Sequence, residues 1–147
     1  MGVHGKPGAS LRVWRDYFPN ANIYGGDIDK DILFEENRIK TFYINQTEPK
    51  TIQAFWNNIQ ETEFDFMLDD GLHTFEAGSC LFENSIKFLR DEGIYIIEDV
   101  KTEDILKYKK FFNNYKYHVE YILMFRSEFE KLYAPLGDNN LIVIRKN

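Results

Sequence analysis

Two short stretches constrain this chain more than anything else in it. Phe64-Asp65-Phe66-Met67-Leu68 runs into Asp69-Asp70-Gly71-Leu72-His73, and Ile94-Tyr95-Ile96-Ile97 runs into Glu98-Asp99. Each apolar run has the length and character of a buried strand, and each stops on two adjacent acids. One helix-length segment separates them. Strand, helix and strand in that order make a βαβ unit, whose crossover is right-handed in about 98% of cases. Both strands then run parallel and end at one sheet edge, where four carboxylates and an imidazole gather.

The alternation extends along the chain. Ala9 to Phe18 reads as a helix with Leu11, Trp14 and Phe18 on one face, ended by Pro19 and Asn20. Asn22 to Ile28 reads as a strand closing on Asp27 and Asp29. A short helix through Leu33 and Phe34 and a strand from Ile39 to Ile44 follow. Pro49 opens a helix whose apolar residues include Ile52, Phe55, Trp56 and Ile59. After the first acidic run, Phe75, Phe82, Ile86 and Leu89 mark a helix, with Gly93 beyond its end. Thr102 is placed to cap a helix through Ile105, Tyr108, Phe111 and Phe112. Tyr117 to Phe125 and Leu141 to Ile144 are the last two strands, and Gly137-Asp138-Asn139-Asn140 is a turn before the final one. No crossover-length helix separates that pair, so the final strand is expected to run antiparallel. The pattern predicts an α/β fold with a mainly parallel sheet. Open sheets of this kind bind ligands at the carboxyl ends of their strands. The loops after Gly2, Asp27, Asp70 and Asp99 are expected there.

Composition narrows the function. The 147 residues suit one domain, and a 44% hydrophobic content supports a core. A net charge of -6 argues against a broad nucleic-acid or membrane surface. Cys80 is the one cysteine, so no intrachain disulfide can form. No run has the length of a bilayer span, and a cytoplasmic protein is the default reading.

Asp69, Asp70, Glu98 and Asp99 repel one another at short range unless they take up protons or capture a cation. All-oxygen donors favour Mg²⁺, Ca²⁺ or Mn²⁺ over zinc. The plainer alternative is that these acids cap helices in solvent. His73, three residues past Asp70, reads as a general base, a metal ligand or a surface histidine near a helix start. Gly2, Gly5 and Gly8 form a glycine loop before a helix, where backbone can approach a cofactor closely. Asp27 follows that loop by about 20 residues, where an acid commonly binds a ribose diol. Its alternative is a cap for the next segment.

Read in order, Gly2-Val-His-Gly-Lys-Pro-Gly8, Tyr24-Gly-Gly-Asp-Ile-Asp29, Leu68-Asp-Asp-Gly-Leu-His-Thr-Phe75 and Ile96-Ile-Glu-Asp-Val100 resemble the class I S-adenosylmethionine-dependent methyltransferases of the macrocin and mycinamicin sugar O-methyltransferase type. The resemblance spans Gly2 to about Val100. It implies a Rossmann-like sheet in the order 3-2-1-4-5-7-6, with Mg²⁺ held by Asp70, Glu98 and Asp99 and His73 as the base. It also implies S-adenosylmethionine bound by Gly2, Gly5, Gly8, Asp27 and, near the cofactor, Asp69. The implied reaction is O-methylation of a small-molecule acceptor, a sugar or related diol. The family's strand before the glycine loop has no counterpart here. Residues 1–147 are therefore expected to be one methyltransferase-like domain, truncated at its N-terminus, whose open central sheet position would encourage a homo-oligomer. Two other readings stay open, a non-catalytic methyltransferase-like module and a metal-dependent hydrolase.

Overall fold

The computed structural model describes residues 6–59, 61–124 and 139–147. They form two compact units, one within residues 1–59 and one within residues 60–147.

The first unit contains α1 (Ala9–Tyr17), β1 (Ile23–Asp27), a 3₁₀ turn (Lys30–Ile32), β2 (Glu35–Glu36), β3 (Ile39–Tyr43) and α2 (Pro49–Asn58). β1 lies parallel beside β3, and the two-residue β2 runs antiparallel on the other edge of β3. Successive residues of a strand face opposite sides, and β1 uses this at Gly25 and Gly26. A Cβ on Gly25 would come 2.7 Å from Leu11 of α1, and one on Gly26 would come 2.6 Å from Ile44 and 3.2 Å from Phe55 of α2. The paired glycines let one helix close on each face of the strand. Ile39 and Ile52 are completely buried between these layers, and Phe55 meets Phe42 and Trp56 edge to face.

The second unit contains β4 (Phe64–Asp69), α3 (Phe75–Ser85), a 3₁₀ turn (Ile86–Phe88), β5 (Leu89–Val100), a second 3₁₀ turn (Thr102–Asp104), α4 (Ile105–Phe112), β6 (His118–Ile122) and β7 (Asn140–Arg145). The sheet order is β4-β5-β7-β6. β4 and β5 are parallel, while β7 runs antiparallel to both β5 and β6. The completely buried Phe82 of α3 anchors the core, with the rings of Tyr95, Phe112 and Tyr115 set edge-on around it at 5.0–5.4 Å. Such pairs contribute about 0.5–1.5 kcal/mol each beyond their buried area.

This is the α/β architecture read from the sequence, with the antiparallel last strand. The β3–β1 pair and the β4-β5-β7-β6 sheet correspond to the 3-2 and 4-5-7-6 parts of the expected order. Among the described residues no strand precedes α1.

Three local expectations need correction. Leu33 and Phe34 are not helical: the 3₁₀ turn stops at Ile32, and Phe34 exchanges hydrogen bonds with Thr41 of β3, which holds that segment extended. Leu89 and Gly93 do not belong to the end of a helix. α3 stops at Ser85, and both residues lie in the twelve-residue β5, where Leu89 pairs with Phe64 and Gly93 accepts the N–H of Lys146. Thr102 does not cap α4, which has no side-chain cap, and its hydroxyl instead accepts a hydrogen bond from Asn140. β2 was not foreseen, because two glutamates carry no strand pattern. Phe125, Gly137 and Asp138, assigned to a strand end and a turn, lie outside the described residues.

Gly78 in α3 gives a direct check on this packing. A helical alanine is ordinarily favoured over glycine by roughly 0.5–1 kcal/mol. Here a Cβ would come 2.2 Å from the hydroxyl of Tyr108, which is 3% exposed on α4 and has little room to retreat. Gly78→Ala is expected to destabilise the protein by about 1–3 kcal/mol in denaturant titrations. The loss should shrink in a Tyr108→Phe background, where the obstructing oxygen is gone.

Candidate metal centre and cofactor positions

The parallel register of β4 and β5 sets Leu68 opposite Ile96 and Asp69 opposite Ile97. Asp70, just past the end of β4, therefore comes level with Glu98 and Asp99 near the end of β5. Alternation then separates the first acid pair. Asp69 turns inward and is 4% exposed, while Asp70 is exposed.

Three residues converge, Asp70 exposed and His73 and Asp99 half-buried. One ligand atom from each of Asp70, His73 and Asp99 lies within 4.8 Å of the others. His73 Nε2 is 3.2 Å from Asp70 Oδ1 and 3.9 Å from Asp99 Oδ2. Both His73 and Asp99 hold left-handed backbone, with φ of 54° and 49°. Aspartate and histidine accept this conformation more readily than most residues, and Arg38 and Glu92, away from the trio, share it; at His73 and Asp99 it sets the direction in which each side chain leaves the backbone. Asp99 owes its conformation to an irregularity between β5 and β7 at Ile97 to Val100. His73 lies one residue before Thr74, whose hydroxyl accepts the N–H of Ala77 and caps α3. The capped helix fixes the exit of the Asp70–His73 loop.

Glu98 lies within electrostatic reach of this trio without joining its shortest contacts. Burial pushes its carboxyl above the usual range, repulsion from Asp70 and Asp99 adds to that, and His73 opposes it. Such crowding of acids is what a divalent cation relieves. The donor set of carboxylate oxygens and one imidazole fits a hard cation. The structure thus brings Asp70 and Asp99 of the sequence-derived set together with His73 and places Glu98 at the margin.

Asp69 occupies a different environment. Its Oδ2 lies 3.4 Å from the position a Cβ on Gly78 would take, next to the Tyr108 hydroxyl. Burial, and after it the Asp69 charge, push the hydroxyls of Tyr95 and Tyr108 up. This carboxylate faces the helical layer of its own unit.

In the first unit, Gly8 stands at the N-cap of α1 with φ 73°, and the ring of Phe34 lies 2.2 Å from where its Cβ would be, so only glycine fits. Arg12 braces the same turn, donating to the Pro7 carbonyl at 2.7 Å and to Glu36 at 2.6 Å, with its guanidinium over Phe34. Gly2 and Gly5 lie outside the described residues. Asp27 ends β1, where its Oδ1 accepts the N–H of Asp29 at 2.9 Å, and Asp29 in turn caps the 3₁₀ turn. Asp27 thus shapes its own turn with one oxygen of its carboxylate. The sequence reading passed over Arg12, a surface residue by pattern, and Asn140, which looked like part of a turn.

The raised Glu98 pKa has a sign that can be measured. An acid whose folded-state pKa exceeds its unfolded value costs stability once it ionises. The cost is absent below the unfolded pKa, grows as pH rises through the gap, and is full above the folded pKa. Glu98→Gln is therefore expected to raise the thermal midpoint of the cation-free protein at neutral pH. The gain should vanish as pH falls below the ordinary glutamate value of 4.5. Thermal scans in chelator across that range check it, and an unchanged or lowered neutral-pH midpoint counts against the crowding.

No family model matches the chain. It is similar in sequence to sugar O-methyltransferases of the macrocin and mycinamicin type. Demethylmacrocin O-methyltransferase of Streptomyces fradiae is 35% identical over 95 residues, which cover 65% of this chain and 24% of that protein. Mycinamicin VI 2''-O-methyltransferase of Micromonospora griseorubida is 33% identical over 95 residues, covering 65% of this chain and 23% of its own length. The chain thus matches about a quarter of the length of these curated relatives. Among solved structures, the MycE methyltransferase of mycinamycin biosynthesis, in complex with Mg and SAH, superposes with a TM-score of 0.66 at 20% identity. That superposition covers 95% of this chain and 41% of the other and shows the shared fold. Among the described residues no helix is long and apolar enough to cross a membrane.

Proposed function

We propose that this chain carries the metal-binding and cofactor-binding elements of an S-adenosylmethionine-dependent O-methyltransferase acting on a hydroxyl of a sugar or related diol. The observation that carries the reading is the convergence of Asp70, His73 and Asp99 within 4.8 Å, two of them on left-handed backbone. The relatives named above, O-methyltransferases by their names, supply the reaction class.

Asp70, Glu98 and Asp99 would hold Mg²⁺. The Gly2–Gly8 loop, the N-terminus of α1 and Asp27 would receive S-adenosylmethionine. The residues fit these tasks. The first turn of α1 carries no acid to repel an anionic group, and Asp27 ends its strand with a carboxylate suited to a ribose diol. When bound, Mg²⁺ would lower the pKa of an acceptor hydroxyl as a Lewis acid, and the sulfonium would supply a methyl group whose C–S bond breaks as the O–C bond forms.

His73 performs the proton transfer. Its Nε2, which lies 3.2 Å from Asp70 Oδ1, takes the hydroxyl proton as the oxygen attacks. A base role requires Nε2 to exchange Asp70 for the acceptor hydroxyl. Proton transfer to a placed base contributes about 10²–10⁴-fold, and alignment of acceptor and methyl donor supplies the rest. Residues 1–147 would act as one methyltransferase-like domain, in a cytoplasmic and self-associating enzyme.

Calorimetry with S-adenosylmethionine, with and without Mg²⁺, tests the reading directly. Binding is expected, and no heat in either condition would leave a non-catalytic methyltransferase-like module as the better account. Asp70→Asn should weaken Mn²⁺ or Mg²⁺ binding by about tenfold or more, at least the effect of losing an outer-sphere partner. His73→Gln separates base from ligand. As a base its loss should leave Mn²⁺ affinity nearly unchanged while methyl transfer falls by about 10²–10⁴-fold. A parallel collapse of Mn²⁺ affinity would make His73 a ligand.

A further inference from the structure

We infer that Asn140 is a positioning residue that holds the Glu98–Asp99 bulge in the shape that turns Asp99 toward Asp70 and His73. The inference rests on the proposed cation site and adds to it the residue that builds one half of it.

Ile97 of β5 faces Ile142 of β7, yet Val100 faces Asn140. Three steps along β5 are thus matched by two along β7, and the extra residue falls on the acid pair Glu98 and Asp99. A bulge of this kind disrupts the ladder locally and re-aims a side chain. Asp99 absorbs it with φ 49°. An aspartate tolerates left-handed backbone better than most residues but less cheaply than glycine, so the bulge gains from being held from elsewhere.

Asn140 provides that hold. Its side chain is buried, with the residue 2% exposed, and it spends its amide in three directions. Nδ2 donates to the carbonyl of Val100 at 2.7 Å and to Thr102 Oγ1 at 3.2 Å, and Oδ1 accepts the N–H of Met124 at 3.0 Å. One planar group therefore ties together the end of β5, the turn that follows it and the residues just past β6. The Val100 carbonyl belongs to the residue next to Asp99. Fixing it limits how the Asp99 backbone can rotate and so where its carboxylate lies, 3.9 Å from His73 Nε2. Burial alone would be satisfied by leucine or valine here. Only an amide offers two donors and an acceptor in this geometry. Aspartate would set a carboxylate oxygen against the Val100 carbonyl oxygen, where the amide donated a proton.

The test compares Asn140→Ala, Asn140→Asp and Ile142→Val, the last a control at a fully buried β7 position that bears none of these hydrogen bonds. Mn²⁺ binding is followed by electron paramagnetic resonance. In the metal-free proteins, nuclear Overhauser contacts between Asp99 and His73 are followed as well. Both Asn140 variants are expected to bind Mn²⁺ about 10–100-fold more weakly, the range for partners that orient a ligand, and to lose the Asp99–His73 contacts. Ile142→Val should lower the thermal midpoint while keeping affinity and contacts. Asn140→Asp matches the native shape and serves if the alanine variant fails to fold. Folded Asn140 variants with native Mn²⁺ affinity and native contacts overturn the inference, as does an equal loss in Ile142→Val. If the unmodified chain binds no Mn²⁺, the cation site is refuted, and the metal-free contacts alone decide the role of Asn140.

Discussion

The parallel register of β4 on β5 is the constraint on which the candidate centre depends. Met67, Leu68 and Asp69 face Tyr95, Ile96 and Ile97, and the alternate residues Met67, Asp69, Tyr95 and Ile97 are buried. A slip of one residue would turn each of these side chains to the wrong face. The apolar residues thus set the level at which the polypeptide leaves the two strands, and the acids inherit it. Asp70 and the Glu98–Asp99 pair meet because the hydrophobic residues behind them have a single good registration. Their mutual repulsion is a consequence of that packing, and it adds to burial, the larger cause, in raising the Glu98 pKa.

Strain and support follow from the same arrangement. His73 and Asp99 stand on left-handed backbone on the two sides of the cluster. Each is held by groups that are not candidate ligands. Behind His73, Thr74 caps α3, and its carbonyl receives the N–H of Gly78 and a long 3.5 Å hydrogen bond from the Tyr108 hydroxyl. Behind Asp99, Asn140 grips Val100 and Thr102. An unfavourable backbone conformation persists only where its surroundings over-determine it, and here a cap, a tyrosine and an asparagine do so.

Much of this was legible in the residues. Apolar runs ending on paired acids marked β4 and β5, and spacing of Ile52, Phe55 and Trp56 marked α2. The errors have physical causes. Leu89 continued a helical spacing, but a strand residue opposite Phe64 buries the same side chain equally well, and periodicity does not separate the two. Thr102 preceded a helix as a cap would, yet its hydroxyl found a partner 38 residues along the chain in Asn140, a long-range choice that local pattern cannot register. Asp69 and Asp70 are identical letters side by side. Strand alternation places one inside and one outside, and knowing which required the register.

The amino-acid sequence by itself determined the α/β class, the two strands that carry the acids, and the chemical character of their ends, because these depend on local periodicity and on residue type. Only the tertiary structure decided which acids meet. It drew Asp70, His73 and Asp99 together, held Glu98 at their margin, buried Asp69 beside Tyr108, and made Asn140 the clasp of the bulge. Those outcomes depend on pairing register and on hydrogen bonds between residues far apart in the chain, and such pairings have no signature until the strands are laid side by side.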